Sequence, residues 1–262
     1  IDFSTYQDPS NASQCLLAKG DDQGSTLQDY AISINAAPNQ SRLRSHVRND
    51  GDWYYNDSGT AEILKNTLYQ VAVVFDGNRL KNYVNGILDS DISANGISYS
   101  NGSLRIGKYS LADLDGYNNY FNGIIDNIKI YSNPFSGDNI EVIYSGDEVD
   151  GNLVAYYKLN AGTGNTVYDH SGNQNHGTIH GATWIENIEG CTDEFADNYN
   201  PDANLDNGSC TYPNNGTYSL LFDGDADWVE IPNSESLQSS NLSVVIDFST
   251  YQDPSNASQC LL

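Results

Sequence analysis

The chain carries the same 17 residues at both of its ends. Residues 1–17 and residues 246–262 both read IDFSTYQDPSNASQCLL, within a total of 262 residues. Two identical segments compete for one position in a folded unit, so a single domain can accommodate only one of them there. We therefore expect the second copy to complete a neighbouring unit. The chain is interpreted as just over one period of a tandem array, or as a unit that polymerises head to tail by strand exchange.

The charge balance narrows the range of partners. The sequence has 11 Lys and Arg against 35 Asp and Glu, a net charge of −24. Such a chain repels nucleic acid phosphates and anionic membrane surfaces, so neither is an expected partner. No apolar stretch approaches the roughly 18 residues that a membrane span needs, so no membrane insertion is expected in this segment. The absence of Met and the initial Ile favour a piece of a longer protein.

Short alternating segments separated by turn residues predict an all-β protein. The hairpin signals are Asp76-Gly77, Asn85-Gly86 and Asn122-Gly123, since these dipeptides favour tight turns between antiparallel strands. One helix is predicted in SGDNIEVIYSG, with Ser136 as its N-cap and Gly146 at its end. The predicted strands are YAISINA, YQVAVVFDGN, LKNYVNGILDS, SLRIGKYS, FNGIIDNIKIYS, NLVAYYKLN, YSLLFDG and WVEIPN.

Several of these segments resemble laminin-G-like domains. The resemblance rests on SLLFDGDADWVEIP, NLSVVIDFST, LLAKG, VAVVFDGN with YVNG, and FNGIIDNIKIY, read through the repeat junction. It implies a concanavalin A-like fold, an antiparallel jelly-roll β-sandwich, in which residues 217–245 supply strands that precede residue 1. The implied organisation is a jelly roll lacking its first strands (1–148), a flanking strand pair (149–188), a Cys/Asp/Asn-rich connector (189–213) and the first strands of the next jelly roll (217–262).

The connector sequence CTDEFADNYNPDANLDNGSC is the strongest chemical signal. Oxygen-bearing side chains recur at every second position, and hard oxygen ligands in flexible loops suit Ca²⁺. The run resembles the Asp/Asn-rich repeats of large bacterial exoproteins. The alternative is a loop whose side chains cap its own backbone turns. The candidate ligands are Asp193, Asp197, Asn198, Asn200, Asp202, Asn204 and Asp206.

The cysteines point to an oxidising environment. Cys191 and Cys210 bracket the connector, and we expect them to form a disulfide that closes it. This pairing implies an extracellular or cell-surface location. Cys15 and its copy Cys260 are left over; a buried thiol is expected, with a disulfide between repeats as the alternative.

A weaker calcium site is implied by the family resemblance. It would combine Asp223, Asp225 and Asp227 of FDGDADW with Asp126 of IIDNIKI. Clustered carboxylates repel one another unless an ion or hydrogen bonds neutralise them. An exposed turn that tolerates these charges is the alternative interpretation.

Enzymatic activity is not expected. The jelly-roll glucanases to which the resemblance points carry a paired-acid strand motif, ExDxE or ExDxxE, and this sequence contains neither. Glycan binding is the serious rival to a structural role. Trp53, Tyr54 and Tyr55 follow Asn49-Asp50-Gly51-Asp52 and are predicted to lie in an exposed loop, where a sugar ring could stack on them. Packing in the core or between repeats is the other interpretation of these aromatic residues.

These observations favour one function over another. We expect a structural repeat unit of an extracellular fibre, stalk or adhesin, assembled with neighbouring copies by strand completion and stiffened by calcium. The alternative is a carbohydrate-binding, lectin-like adhesion module.

Overall fold

The computed structural model describes residues 1–6, 13–20, 28–37, 40–109, 120–213, 220–222 and 227–231. The chain divides into two units, residues 1–215 and residues 216–262. The secondary structure described in the first unit is almost entirely β. Its strands are β1 Asp2–Thr5, β2 Gln14–Gly20, β3 Gln28–Ala37, β4 Gln40–Asn49, β5 Asp52–Asn56, β6 Leu68–Phe75, β7 Arg79–Val84, β8 Ile87–Ser93, β9 Leu104–Ile106, β10 Gly123–Tyr131, β11 Leu153–Tyr157, β12 Thr166–Val167, β13 Gly177–Thr178, β14 Glu189–Gly190 and β15 Leu205–Asp206.

Two antiparallel sheets form a β-sandwich, which confirms the predicted fold class. The six-stranded sheet has the order β11-β10-β1-β6-β7-β8, and the five-stranded sheet has the order β5-β4-β3-β2-β9. The first copy of the duplicated segment contributes to both sheets. Its β1 lies centrally between β10 and β6, and its β2 pairs with β3 and β9.

Apolar side chains from both sheets fill the space between them. Phe3 of β1, Leu16 of β2, Ile34 of β3 and Val71 of β6 are each at most 1% exposed and belong to one buried cluster. Phe3 packs its ring against Tyr69 with the centroids 6.0 Å apart. Burying a side chain of this size stabilises the fold by roughly 1.5–3 kcal/mol. The duplicated sequence therefore supplies part of the core.

Two of the three predicted hairpin turns are present. Asn85 and Gly86 both have positive φ angles, 49° and 80°, and join β7 to β8 by two residues. Gly77, with φ of 96°, lies in the turn between β6 and β7. Asn122-Gly123 is different: Gly123 begins β10 in a nearly extended conformation. A side chain at Gly123 would collide with the backbone oxygen of Ser4, so close strand packing requires glycine there.

The predicted helix is present as α1, Gly137–Tyr144. Ser136 is its N-cap, and its hydroxyl accepts a hydrogen bond from the Asn139 amide. Ile140 is buried on the outer side of the six-stranded sheet with Val74 and Tyr83. Gly146, with φ of 93°, follows the helix as expected. No helix within the described ranges is long and apolar enough to cross a membrane.

The flanking segment is attached to the edge of the six-stranded sheet, as expected. Strand β11 pairs with β10, and Asp169 bridges back to Tyr157. The Asp169 carboxylate accepts hydrogen bonds from the amides of Tyr156, Ser171 and Asn175 and from the Ser171 hydroxyl. One buried carboxylate therefore holds the segment against the sheet.

The second unit is described at only eight residues, and these do not form strands. Residues 220–222 and 227–231 belong to the segments YSLLFDG and WVEIPN, so the two strands predicted there are wrong for these residues. A strand needs a neighbouring strand to satisfy its backbone groups. Leu220 is 74% exposed and Trp228 is 70% exposed. The second copy of the duplicated segment, residues 246–262, lies outside the described residues.

Candidate functional site

Strand β4 directs alternate side chains to the core and to the outer face of the five-stranded sheet. Leu43 and Val47 point inward and belong to buried clusters. Successive residues of a strand point to opposite faces. Arg44, His46 and Arg48 therefore lie on the outer face.

Strand β5 adds aromatic side chains to the same face. In the register of β4 and β5, Arg48 lies opposite Trp53 and His46 lies opposite Tyr55. Directly opposed residues share a face and are close enough to interact. We call these five residues, Arg44, His46, Arg48, Trp53 and Tyr55, the arginine–aromatic cluster.

The rings of the cluster have a defined arrangement. Trp53 and Tyr55 are nearly parallel, with an interplanar angle of 6° and centroids 5.7 Å apart. His46 meets both of them edge to face, at 5.1 Å from Trp53 and 5.3 Å from Tyr55. Such offset and edge contacts are the favoured geometries of aromatic pairs. The three rings therefore support one another on the sheet surface.

The two arginines lie over these rings. The Arg44 guanidinium carbon is 4.4 Å from the centroid of Tyr55, and that of Arg48 is 5.8 Å from Trp53. A cation over an aromatic face is attracted by the ring while it keeps its charge. The Nε atoms of both arginines are buried and make no hydrogen bond to the part of the chain that the structure describes. Arg44 Nε is 4.0 Å from an Asp57 carboxylate oxygen, which is the outer limit of an ion pair.

His46 is buried among the rings of Trp53, Tyr55 and Tyr109 and remains uncharged. Its side chain is 4% exposed. Burial, together with the positive charge of Arg44, lowers the pKa of His46 to about 3. Its Nε2 atom makes no hydrogen bond to the described residues. At neutral pH the charge of the cluster therefore comes from the two guanidinium groups.

Tyr109 covers one side of the cluster. Its ring lies nearly parallel to His46, at 12° and 6.3 Å, and it packs against the buried residues Cys15, Ala18 and Ala31. The accessible side is at the β5 edge, where Tyr55 is 42% exposed and the Arg44 side chain is 28% exposed. Aromatic and guanidinium groups therefore meet solvent together at this edge.

The prediction that Trp53, Tyr54 and Tyr55 occupy an exposed loop is wrong. Asp50 and Gly51 form a two-residue turn with positive φ angles, and the three aromatics follow it on β5. Tyr54 points inward and packs on the cluster of Val47 and Leu80, so it is separated from Trp53 and Tyr55. A two-residue turn returns the chain directly into a strand.

Sequence reasoning missed the arginines and the histidine of the cluster. Strand β4, SRLRSHVRN in its described part, was not among the predicted strands. The signal was present, because Leu43, Ser45 and Val47 alternate with charged or polar residues at a period of two. A strand with only one buried face alternates apolar and polar residues in this way. Three arginines in nine residues made the segment look too polar for a strand.

The connector is closed by the predicted disulfide. Cys191 and Cys210 are bonded, with their Cα atoms 4.8 Å apart. Inside the closed loop, β14 and β15 form a short parallel ladder. Cys15 is a buried free thiol on β2, as expected, and burial raises its pKa. Cys260 lies outside the described residues.

Side chains of the connector bind its own backbone. Asp193 accepts hydrogen bonds from the Tyr212 hydroxyl and the Phe195 amide, and these bonds lower its pKa. Asn204 bonds to both Ile188 and Glu186. Asp197 and Asp202 are exposed. Asn200 and Asp206 accept turn-capping bonds from amides two residues on, and Asn198 bonds across the loop to the backbone of Ser209 and Thr211. Within the described residues, no three His, Cys, Asp or Glu side chains converge as a metal site would require.

The second predicted calcium site is described only in part. Asp126 lies on β10 and accepts a hydrogen bond from Asn187 at 3.1 Å. Burial is the main reason that its pKa is raised, and this hydrogen bond opposes the shift. Asp223 and Asp225 lie outside the described residues, and Asp227 belongs to the second unit. Calcium binding by this set stays a prediction.

The sandwich is similar to a known protein family and to solved structures. The Laminin_G_3 family model, described as "Concanavalin A-like lectin/glucanases superfamily", matches residues 5–141. The chain is similar to a candidate carbohydrate binding protein from Bacteroides ovatus ATCC 8483, with 18% identity and a TM-score of 0.43 over 71% of this chain and 60% of that one. It is also similar to the Ruminococcus gnavus IT-sialidase CBM40, with 21% identity and a TM-score of 0.45 over 55% and 79%. Both TM-scores are below 0.5, so neither likeness carries an argument about function. A search of curated proteins found no match.

Proposed function

Because this chain belongs to the concanavalin A-like lectin/glucanases superfamily, we propose that it is a carbohydrate-binding module whose saccharide site is the arginine–aromatic cluster. The observation that carries this proposal is the pair of nearly parallel rings, Trp53 and Tyr55, supported by His46 on an outer sheet face. An aromatic side chain offers apolar contact to the C–H groups of a sugar. The neighbouring guanidinium groups offer hydrogen-bond donors to its oxygens.

The proposed role is binding without hydrolysis. Glycoside hydrolases need two carboxyl groups about 5–9 Å apart across the scissile bond. The paired-acid strand motif ExDxE or ExDxxE is absent from this sequence. The disulfide between Cys191 and Cys210 supports an extracellular or cell-surface location, since such bonds persist in oxidising compartments.

Substitution of Tyr55 tests the site. In the full chain, Tyr55→Ala should weaken binding to whichever saccharides an array of neutral and acidic glycans identifies, by about tenfold or ~1.4 kcal/mol. Tyr199→Ala is the matched control, because Tyr199 is 43% exposed and lies in the connector, while Tyr55 is 42% exposed. Calorimetric titration with the best array ligand measures the change. Equal loss in both variants, or an array without any bound glycan, would contradict the proposal.

We propose structural assembly as a second function, favoured by the position of the first duplicated copy. Its β1 is central in the six-stranded sheet and Phe3 is fully buried. The second copy has the same sequence, so it suits the same position in a neighbouring molecule, where it would replace that molecule's own first copy. Neighbouring copies of the chain are thus the proposed partners in a fibre, stalk or adhesin.

The duplicated sequence provides its own control for this second function. Phe248→Asp should prevent strand donation, so it should abolish concentration-dependent oligomers in light-scattering chromatography while the sandwich stays folded. Phe3→Asp removes the same side chain from the described core, and its effect should fall on the thermal stability of the first unit. Monomeric wild-type chain at high concentration would exclude assembly by strand donation.

Calcium binding by the connector is also proposed. Asp197 and Asp202 are exposed, and carboxylate and amide oxygens retain a second lone pair after accepting one hydrogen bond. The residues present can therefore still supply oxygen ligands to Ca²⁺. Bound calcium would neutralise part of the net charge of −24 and stiffen the loop between successive sandwiches.

A further inference from the structure

The basic residues of this acidic chain are distributed unevenly. The chain has a net charge of −24 and five arginines. Four of them, Arg42, Arg44, Arg48 and Arg105, lie on strands β4 and β9 of the five-stranded sheet. All four are on its outer face, because Leu43 and Val47 of β4 and the neighbours of Arg105 on β9 pack inward. Positive charge is therefore concentrated on the face that carries the proposed saccharide site.

The arginines of the cluster differ from the arginine on the other sheet. Arg79 on β7 donates three hydrogen bonds, to the carboxylate and the carbonyl of Asp91 and to the Ser93 hydroxyl, with its Nε 2.9 Å from the Asp91 carboxylate. Arg44 and Arg48 instead lie over aromatic rings and keep buried Nε atoms without a hydrogen bond to the described residues. A ring holds a guanidinium in place without neutralising it. The buried Nε atoms are out of a ligand's reach, so each of the two would present the pair of terminal guanidinium nitrogens to an anion.

The spacing of the two arginines limits the ligand. Arg44 and Arg48 are four residues apart on one strand, about 13 Å along β4. A charge-assisted hydrogen bond to a carboxylate is only about 2.7–2.9 Å long. We therefore assign one anionic group to each guanidinium, which favours an oligomer with repeated anionic groups as the ligand.

We propose that the arginine–aromatic cluster selects an acidic oligosaccharide, with a sugar ring against the exposed part of Tyr55 at the β5 edge and its anionic groups on Arg44 and Arg48. This inference rests on the proposed function, since it names the ligand class of the same site. A carboxylate of a uronic acid and a sulfate ester offer similar negative oxygens, and both are acidic groups of saccharides. At 0.15 M salt the Debye length is about 8 Å, so carboxylates farther away than this are largely screened, while Asp57, at 4.0 Å from Arg44, is the near carboxylate with which an anionic ligand competes.

The first test changes the ligand and leaves the protein intact. The full chain is titrated with an oligogalacturonate, with its fully methyl-esterified form, and with a sulfated galactan oligosaccharide of equal length. We expect the charged oligosaccharide, uronate or sulfate, to bind at least tenfold more tightly than the neutral ester. The two charged arms identify which anionic group the site prefers.

The second test changes the protein. Arg44→Gln and Arg48→Gln should each reduce the preference for the charged ligand over the ester, the ratio of the two affinities, by about tenfold. Arg79→Gln removes the same charge from the other sheet and should leave the preference intact. Thermal midpoints of all three variants check that the sandwich remains folded.

The outcomes separate this inference from the proposed function. Equal binding of charged and neutral oligosaccharides overturns the acidic selectivity while saccharide binding stands. An effect of Arg44→Gln and Arg48→Gln no larger than that of Arg79→Gln also overturns it. Failure of every saccharide to bind overturns both the ligand class and the proposed function.

Discussion

Two buried ionisable side chains in the first unit differ in charge at neutral pH: Asp169 is ionised and His46 is neutral. Asp169 is 7% exposed and His46 is 4% exposed. Burial alone would raise the pKa of Asp169, but hydrogen bonds from three amides and one hydroxyl outweigh it and hold the pKa well below its usual range. His46 has no such compensation, so burial keeps it neutral. The local donors therefore decide which charge the interior tolerates.

The His46 ring should not titrate in the physiological range. Its pKa of about 3 lies far below the ordinary value of about 6.5. We expect its NMR ring signals to stay constant between pH 5 and pH 8. Because only the unfolded chain binds this proton, the His46 contribution makes the fold less stable as the pH falls from about 6.5 towards 3. A His46 midpoint near pH 6.5 would contradict the burial argument.

Asp169→Asn should destabilise the fold in a pH-dependent way. The change removes the charged acceptor of four hydrogen bonds, so we expect the free energy of unfolding at pH 7 to fall by ~1–3 kcal/mol. A carboxyl whose folded pKa is lowered contributes its stability above the unfolded pKa of about 3.9 and loses it as the pH falls further. Denaturant titrations should therefore show the gap between wild type and variant narrowing below pH 4. Asp150→Asn, at an exposed position, is the control and should change little.

At the scale of elements, strand pairing determines which residues become neighbours. Trp53 and Tyr55 meet the arginines only because the Asp50-Gly51 turn brings β5 back alongside β4 in a fixed register. A shift of one residue would exchange Trp53 and Tyr55 for Tyr54 on the outer face. The connector has little strand pairing, since β14 and β15 contain only two residues each. The disulfide between Cys191 and Cys210 closes it instead.

Loss of the disulfide should loosen the connector and spare the sandwich. A closed loop of this size stabilises by ~3 kcal/mol in the chain-entropy model. In the variant Cys191→Ser with Cys210→Ser, we expect faster hydrogen exchange at residues 189–210 and unchanged protection in β6 and β7. Cys15→Ser is the control, because that thiol is buried on β2 outside any disulfide. Equal exchange in the connector before and after the double substitution would show that the turn hydrogen bonds suffice.

At the scale of the whole molecule, the net charge determines how stability responds to the surrounding ions. A charge of −24 opposes compaction through mutual repulsion, and salt shortens the range of this repulsion from about 30 Å at 0.01 M to about 8 Å at 0.15 M. Few ion pairs offset it among the described residues, and the four found involve Lys19, Arg44, Arg79 and Lys81. The stability of the chain should therefore depend on its ionic surroundings.

Salt and calcium should both raise the thermal midpoint, by separable effects. NaCl acts through screening, so its effect should level off near 0.15 M. CaCl₂ at matched ionic strength should add a further rise that MgCl₂ does not reproduce, because the connector offers flexible oxygen ligands. Asp197→Asn with Asp202→Asn should remove this calcium-specific part, because both side chains are exposed. Identical midpoints in the two divalent salts would eliminate the connector as a calcium site.

The pattern of residues along the chain was enough for features that depend on near neighbours. The β-rich class, the Asn85-Gly86 turn, the capped helix at Ser136 and the disulfide of Cys191 with Cys210 all follow from local chemistry. The duplicated ends predict competition for one position. The structure shows that the first copy fills a central strand of the sandwich.

The candidate site required the tertiary structure. Arg44 and Tyr55 are eleven positions apart, and nothing in their spacing specifies which face they share. The register between β4 and β5 decides that, and burial of the opposite face against the core sets the register. Likewise, the sequence around Asp169 indicates only a turn. Folding brings four hydrogen-bond donors to its carboxylate. Local signals describe what each segment can form, whereas a binding surface arises from contacts between segments that only long-range packing brings together.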